Sequence, residues 1–153
     1  MPAPRTRRPS IDDTMLAAAE VFARRSTCSR LPVGAVLARD GRVLSTGYNG
    51  AAAGVAHCQH GPDDPPCVAA VHAEANALLF AARHGVAAAG STLYVTHAPC
   101  GGCAGLIINA GVVAVRYAQT FRTLDGVGRL VVAGVDVARI AYPGGPVRAE
   151  TVR

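Results

Sequence analysis

Two short motifs restrict the fold of this chain more than anything else in it. His72-Ala73-Glu74 and Pro99-Cys100-Gly101-Gly102-Cys103 each fall where an extended run gives way to a helical one. A helix start carries unpaired N–H groups and the positive end of the helix dipole, and both favour thiolate over thiol. A fold that brings the two helix starts face to face places an imidazole, a carboxylate and two sulfurs around one point. Taken singly, each motif has an ordinary explanation. The Cys-x-x-Cys could be half of a structural zinc site or a redox pair, and the His-x-Glu could be a helix cap. Taken together, they point to one metal ion with a proton carrier beside it.

The surrounding pattern predicts the frame that could hold them. Ile11 to Arg25 has the apolar spacing of an amphipathic helix, with Ser10 as its N-cap. Residues 32–38 and 42–48 are β-branched runs, and Asp40-Gly41 between them is a hairpin turn signal. Residues 72–84, 101–110 and 121–133 are read as helices, although Gly126 and Gly128 weaken the last one. Residues 91–96, 112–117 and 135–142 are read as strands. The order α-β-β-α-β-α-β-α-β predicts an α/β fold: a three-layer α/β/α sandwich around a central mixed five-stranded sheet. One domain is expected over 11–142, between a basic tail at 1–10 and a loose C-terminal tail at 143–153.

The donor set suits zinc in a catalytic role, which takes three protein ligands and leaves a fourth position for water. His72, Cys100 and Cys103 are the candidate ligands. Glu74 is not needed as one and is the candidate catalytic acid and base. An H-x-E paired with P-C-x-x-C is the established signature of zinc-dependent nucleobase deaminases, applied here as a known rule.

Composition sets the bounds. The chain has 153 residues, 50% of them hydrophobic and 16% charged, enough for one folded domain with a real core. No apolar run is long enough to span a membrane. The first ten residues carry Arg5, Arg7 and Arg8 but no apolar core, so they read as a tail and not a signal peptide. The net charge of +5 favours anionic ligands such as nucleotides. Aromatic residues make up 5% with no Trp, which counts against a nucleic-acid platform. Five cysteines without an export signal favour metal binding over disulfides, and the expected compartment is cytoplasmic.

Several further segments carry a resemblance. Val33-Gly34-Ala35-Val36, Ser45-Thr46-Gly47-Tyr48-Asn49-Gly50, His72-Ala73-Glu74-Ala75-Asn76-Ala77, Thr92-Leu93-Tyr94-Val95-Thr96 and Pro99-Cys100-Gly101-Gly102-Cys103-Ala104 together resemble the deoxycytidylate (dCMP) deaminase family, from about Arg24 to about Tyr142. The resemblance implies hydrolytic deamination of dCMP to dUMP and ammonia in pyrimidine nucleotide metabolism. It implies that Asn49 lines the nucleotide pocket and that the backbone of Ala73 meets the pyrimidine edge. It also implies a homo-oligomer regulated by dCTP and dTTP. Two departures stand out: Ala52 sits where many members have Pro, and Leu31-Pro32 replaces residues that are often polar. The pocket rim could therefore differ.

A nucleotide needs a phosphate site. Arg30 is the candidate, because a guanidinium fork matches phosphate oxygens, although a solvated loop arginine is an equal reading. Arg83 reads as a favourable charge at a helix end. His97 could line the pocket. Three other functions stay open: a deaminase of another or a 5-modified cytosine nucleotide or nucleoside, a non-catalytic binding module, and a nucleic-acid editing enzyme. The intact Glu74 counts against the second, and the small basic face beyond the tail counts against the third.

Residues 49–71 form a long stretch with no period, rich in Gly, Ala, Pro, His and Cys. Such a loop inside a compact domain is usually functional or tied down. Some members of the resembling family carry a second, structural zinc there. Cys28, Cys58, Cys67 and either His57 or His60 would make a closed tetrahedral set, with His60 preferred.

Overall fold

A computed structural model describes residues 8–61, 63–65, 67–141 and 149–151. The expected tails at 1–10 and 143–153 lie outside these residues, apart from 8–10 and 149–151. Ser10 starts the first helix, α1 (Ile11–Ala23), through a reciprocal cap. Its Oγ accepts from the Asp13 N–H at 3.0 Å, and the Asp13 carboxylate accepts from the Ser10 N–H at 3.2 Å.

The remaining elements are β1 (Gly34–Arg39), β2 (Arg42–Tyr48), β3 (Gly50–Ala51), β4 (Ala70–Val71), α2 (Ala73–Arg83), β5 (Thr92–His97), α3 (Gly101–Asn109), β6 (Ala114–Gln119), α4 (Asp125–Val132), β7 (Asp136–Ile140) and β8 (Ala149–Thr151). Asp40 (φ 52) and Gly41 (φ 71) both take the left-handed conformation that a two-residue hairpin turn requires.

The main sheet has the order β2-β1-β5-β6-β7-β8. Its body is the expected mixed five-stranded sheet: β2, β1 and β5 are antiparallel, and β5, β6 and β7 are parallel. One difference lies at the edge. Part of the tail expected to be loose, Ala149–Thr151, pairs antiparallel with Ala138–Ile140. This gives β7, otherwise an open edge with unpaired N–H and C=O groups, a partner.

Alternation along the strands builds the three layers. Leu37, Leu93, Val95, Val115 and Val137 pack with residues of α2, α3 and α4. The intervening Val36, Ala38, Tyr94, Ala138 and Ile140 pack with Met15, Leu16 and Ala19 of α1. Two glycines let the helices lie directly on the sheet. A methyl at Gly34 would collide with the Ala19 carbonyl, and one at Gly47 with the Ala73 carbonyl. The second contact sets the start of α2 against β2.

Two segments differ from the sequence expectation. Residues 49–71 are closed at their base by the β3–β4 ribbon, with Gly50 opposite Val71. α4 begins at Asp125 and not at Phe121, where Thr123 Oγ1 donates to the Asp125 carboxylate just before the first turn. Residues 120–124 thus form a connection that runs past the carboxyl end of β6. None of the helices among the described residues is long and apolar enough to cross a membrane.

Candidate active site

The carboxyl ends of β2, β5 and β6 and the amino end of β1 share one edge of the sheet, with the starts of α2 and α3 beside them. His72 is the N-cap of α2 and Cys100 the N-cap of α3, both in extended conformation. Cys100 Sγ accepts from the Cys103 N–H at 3.5 Å. The His72 Nδ1 atom lies 3.6 Å from Cys100 Sγ and 3.4 Å from Cys103 Sγ. A tetrahedral zinc with ordinary Zn–N and Zn–S bond lengths would set these separations at about 3.6 Å, so the three donors fit that ion. The distances also select Nδ1, not Nε2, as the histidine donor.

Glu74 is buried at 4% exposure, in the first turn of α2. Burial pushes its carboxyl above the ordinary value, opposed by its own backbone N–H and by His72 and Cys103. Burial also pushes the Cys103 thiol up, and the neighbouring Glu74 and Cys100 add to this. An imidazole, two sulfurs and a carboxyl crowded in this way suit a divalent cation, which holds thiolates in their charged form.

A cavity of about 530 Å³ opens over these groups. His72, Ala73, Glu74 and Cys100 form part of its wall, and so do Cys28, Arg30, Asn49, His60, Cys67 and His97. Asn49 is buried, and its amide is largely committed. Oδ1 accepts from Ser26 Oγ at 2.6 Å and from the Val33 N–H at 2.8 Å, while Nδ2 donates to the Leu31 carbonyl at 2.8 Å. Both acceptor positions are filled, and one N–H of the amide is left for a ligand. Arg30 likewise turns to the chain, with its guanidinium donating to the carbonyls of Gly61, Asp64 and Pro65.

The donor atoms of Cys58, His60 and Cys67 lie within 4.8 Å of one another. His60 Nε2 is buried and has no hydrogen-bond partner among the described residues. Cys28 lines the same cavity but stands outside this group, and His57 is not in it either. Desolvation raises the Cys67 thiol, but the Ala69 and Ala70 N–H groups, Cys58 and the Arg30 charge outweigh it and leave the thiol below its ordinary value.

His97, half-buried, does line the cavity. Its Nδ1 lies 2.9 Å from Thr96 Oγ1, and burial holds its pKa below the ordinary histidine value. His84 stays at the end of α2, tilted over Phe80 with centroids 4.2 Å apart. Arg83 sits in the last turn of that helix. Leu31, expected at the pocket rim, does line the cavity, whereas the sequence reading missed the run Gln119-Thr120-Phe121-Arg122 as wall residues. An aromatic and a cation directly after a strand, at the edge where the two motifs meet, were the available signal. Reading 121–133 as helix hid it.

A model of the cytidine and deoxycytidylate deaminase zinc-binding region matches residues 9–119. The deoxycytidylate deaminase of Mycobacterium phage D29 is 44% identical over 125 residues, covering 72% of this chain and 95% of the phage protein. ComE operon protein 2 of Bacillus subtilis is 42% identical over 119 residues, covering 76% of this chain, and the chain spans 63% of its length. The crystal structure of dCMP deaminase from cyanophage S-TIM5 in complex with dCMP and dUMP superposes with a TM-score of 0.81 at 34% identity. It covers 88% of this chain and 100% of the phage chain.

Proposed function

Because the chain belongs to the zinc-binding cytidine and deoxycytidylate deaminase family, we propose that it hydrolyses dCMP to dUMP and ammonia. The observation that carries the reading is His72 Nδ1 within 3.6 Å of both sulfurs, with the buried Glu74 beside them. His72, Cys100 and Cys103 would hold the zinc. When bound, zinc supplies the Lewis acidity that makes water a nucleophile near neutral pH.

The remaining steps fall to the chain. Glu74 accepts a proton from the attacking water and returns it to the ring nitrogen. It then carries the second proton to the departing amine, so that water and dCMP leave as dUMP and ammonia. Burial raises its carboxyl above the ordinary value. The N–H groups opening α2, with Ala73 among the wall residues, suit the pyrimidine edge. The free N–H of Asn49 suits a hydroxyl or carbonyl acceptor. Arg30 and Arg122 are cations of the cavity wall. Arg122 is the better placed for phosphate, since Arg30 already holds three carbonyls.

Cys58, His60 and Cys67, with Cys28 as the fourth ligand, would bind a second, structural zinc. The buried, unpartnered His60 Nε2 supports this assignment and favours His60 over His57. None of the described cysteines is disulfide-bonded, as suits a reducing cytoplasm. Exposed Leu79, Phe80 and Leu106 suit a subunit interface in a homo-oligomer.

The test is a substrate panel of dCMP, dCTP, deoxycytidine and 5-methyl-dCMP. Loss of cytosine absorbance is followed with and without dCTP and dTTP as effectors, alongside zinc analysis. Turnover of dCMP above the others supports the reading. A zinc-loaded protein inert toward the whole panel rejects it.

A further inference from the structure

The hydrogen bonds of Arg30 form part of a continuous clamp. Asn49 holds the stretch from Ser26 to Val33 through the Ser26 hydroxyl, the Leu31 carbonyl and the Val33 N–H. Within that stretch, Ser29 Oγ accepts from the His60 N–H at 3.3 Å. Arg30 Nη1 donates to the Pro65 carbonyl at 3.2 Å, and Nη2 donates to the carbonyls of Asp64 at 2.9 Å and Gly61 at 3.5 Å. The loop end is itself folded back, with the Asp64 carboxylate accepting from the Gly61 N–H at 2.6 Å. The clamped carbonyls thus lie between His60 and Cys67, two donors of the loop cluster. His60, Cys67 and Arg30 all line the cavity that His72 and Glu74 also line.

We propose that Arg30 is a positioning residue that seats the loop from His60 to Cys67 as a wall of the substrate cavity, so that a cation held by Cys58, His60 and Cys67 sets nucleotide affinity without taking part in the reaction. This rests on the deaminase reading above and adds a coupling between the two clusters. The reacting groups sit at the starts of α2 and α3, whose packing residues Ala77, Leu78, Ala104 and Ile107 belong to the core against the sheet and not to the loop. A displaced loop therefore alters how a ligand is held more than how fast it reacts. The planar guanidinium fork meets three carbonyls at once. A lysine ammonium keeps the charge but lacks that fixed geometry.

The experiment compares the zinc-loaded full chain with Arg30→Gln, Arg30→Lys and Cys67→Ser. Two readouts are taken: the rate at which a colorimetric chelator removes zinc, and the KM and kcat for dCMP and for deoxycytidine. In Arg30→Gln, part of the zinc should leave about tenfold faster and KM should rise about tenfold for both substrates, with kcat within about twofold. Arg30→Lys should recover part of each loss. Cys67→Ser should reproduce the KM change, and adding Arg30→Gln to it should raise KM no further. Unchanged zinc release in Arg30→Gln overturns the proposal. So does a KM rise confined to dCMP, which would make Arg30 a phosphate contact. Absence of dCMP turnover in the wild type would reject the deaminase reading by itself, while the zinc-release comparison would still decide the role of Arg30.

Discussion

Gly126 lies against the carbonyl oxygen of Pro99, so close that any side chain at that position would collide with it and with the Cys100 carbonyl. The first turn of α4 therefore backs the bend that presents Cys100 to His72. Gly128, two residues further along the same helix, has nothing within 4 Å of where a methyl would stand. Gly126→Ala should cost about 1–3 kcal/mol through overpacking and weaken zinc binding at the His72 cluster. Gly128→Ala should stabilise the helix by up to about 1 kcal/mol. Urea unfolding and zinc titration of both variants check the contrast, and equal effects would contradict it.

Glu74→Gln should keep the zinc of the His72 cluster, because the carboxylate is not among its three donors. Turnover should fall by about 10²–10⁴-fold, the usual contribution of a positioned acid and base. Metal analysis and single-turnover rates measured on one preparation separate the two effects. Near-normal turnover would remove Glu74 from the reaction.

Asn49→Ala should destabilise the fold as well as the pocket. It strips partners from the Val33 N–H and the Leu31 carbonyl, while the Ser26 hydroxyl keeps the main-chain carbonyl of residue 49. At about 1 kcal/mol or more for each of the two partly buried groups left unpaired, a total loss of roughly 2 kcal/mol or more is expected. The urea midpoint reads this directly. A side chain that only touched ligand would raise KM and leave the midpoint where it was.

His97 should make the fold acid-sensitive. Its folded pKa is held below the ordinary 6.5, first by burial. Below that ordinary value the unfolded chain takes up a proton that the folded chain resists, so stability falls with decreasing pH until the folded pKa has been passed. Unfolding midpoints between pH 8 and pH 5 should drop less steeply in His97→Gln than in the wild type. Identical slopes would place the acid sensitivity elsewhere.

Much of this was legible along the chain because the governing interactions are local or periodic. Ser10 and Asp13 cap α1 within four residues of each other. Asp40-Gly41 takes the turn that its residue types favour. The alternation of β1 and β5 assigns their two faces without reference to the partners. The zinc motif was readable for the same reason, since each half occupies three to five residues and its chemistry names the ion.

The sequence by itself determined the layer architecture and singled out His72, Glu74, Cys100 and Cys103, which the fold brings together. Only the tertiary structure decided which atoms remain free to meet a ligand. Asn49 and Arg30 both read as ligand contacts, but folding engages most of Asn49's polar positions and turns Arg30's guanidinium to backbone groups up to 35 residues away. Gln119-Thr120-Phe121-Arg122 joined the cavity wall because α4 starts late. Gly126 became indispensable because another segment's backbone occupies its side-chain space. The physical reason is common to all of these. A hydrogen-bonding group has few positions, and a packed interior has little volume. Which neighbour fills them depends on chain segments far apart in sequence, and no local pattern records that.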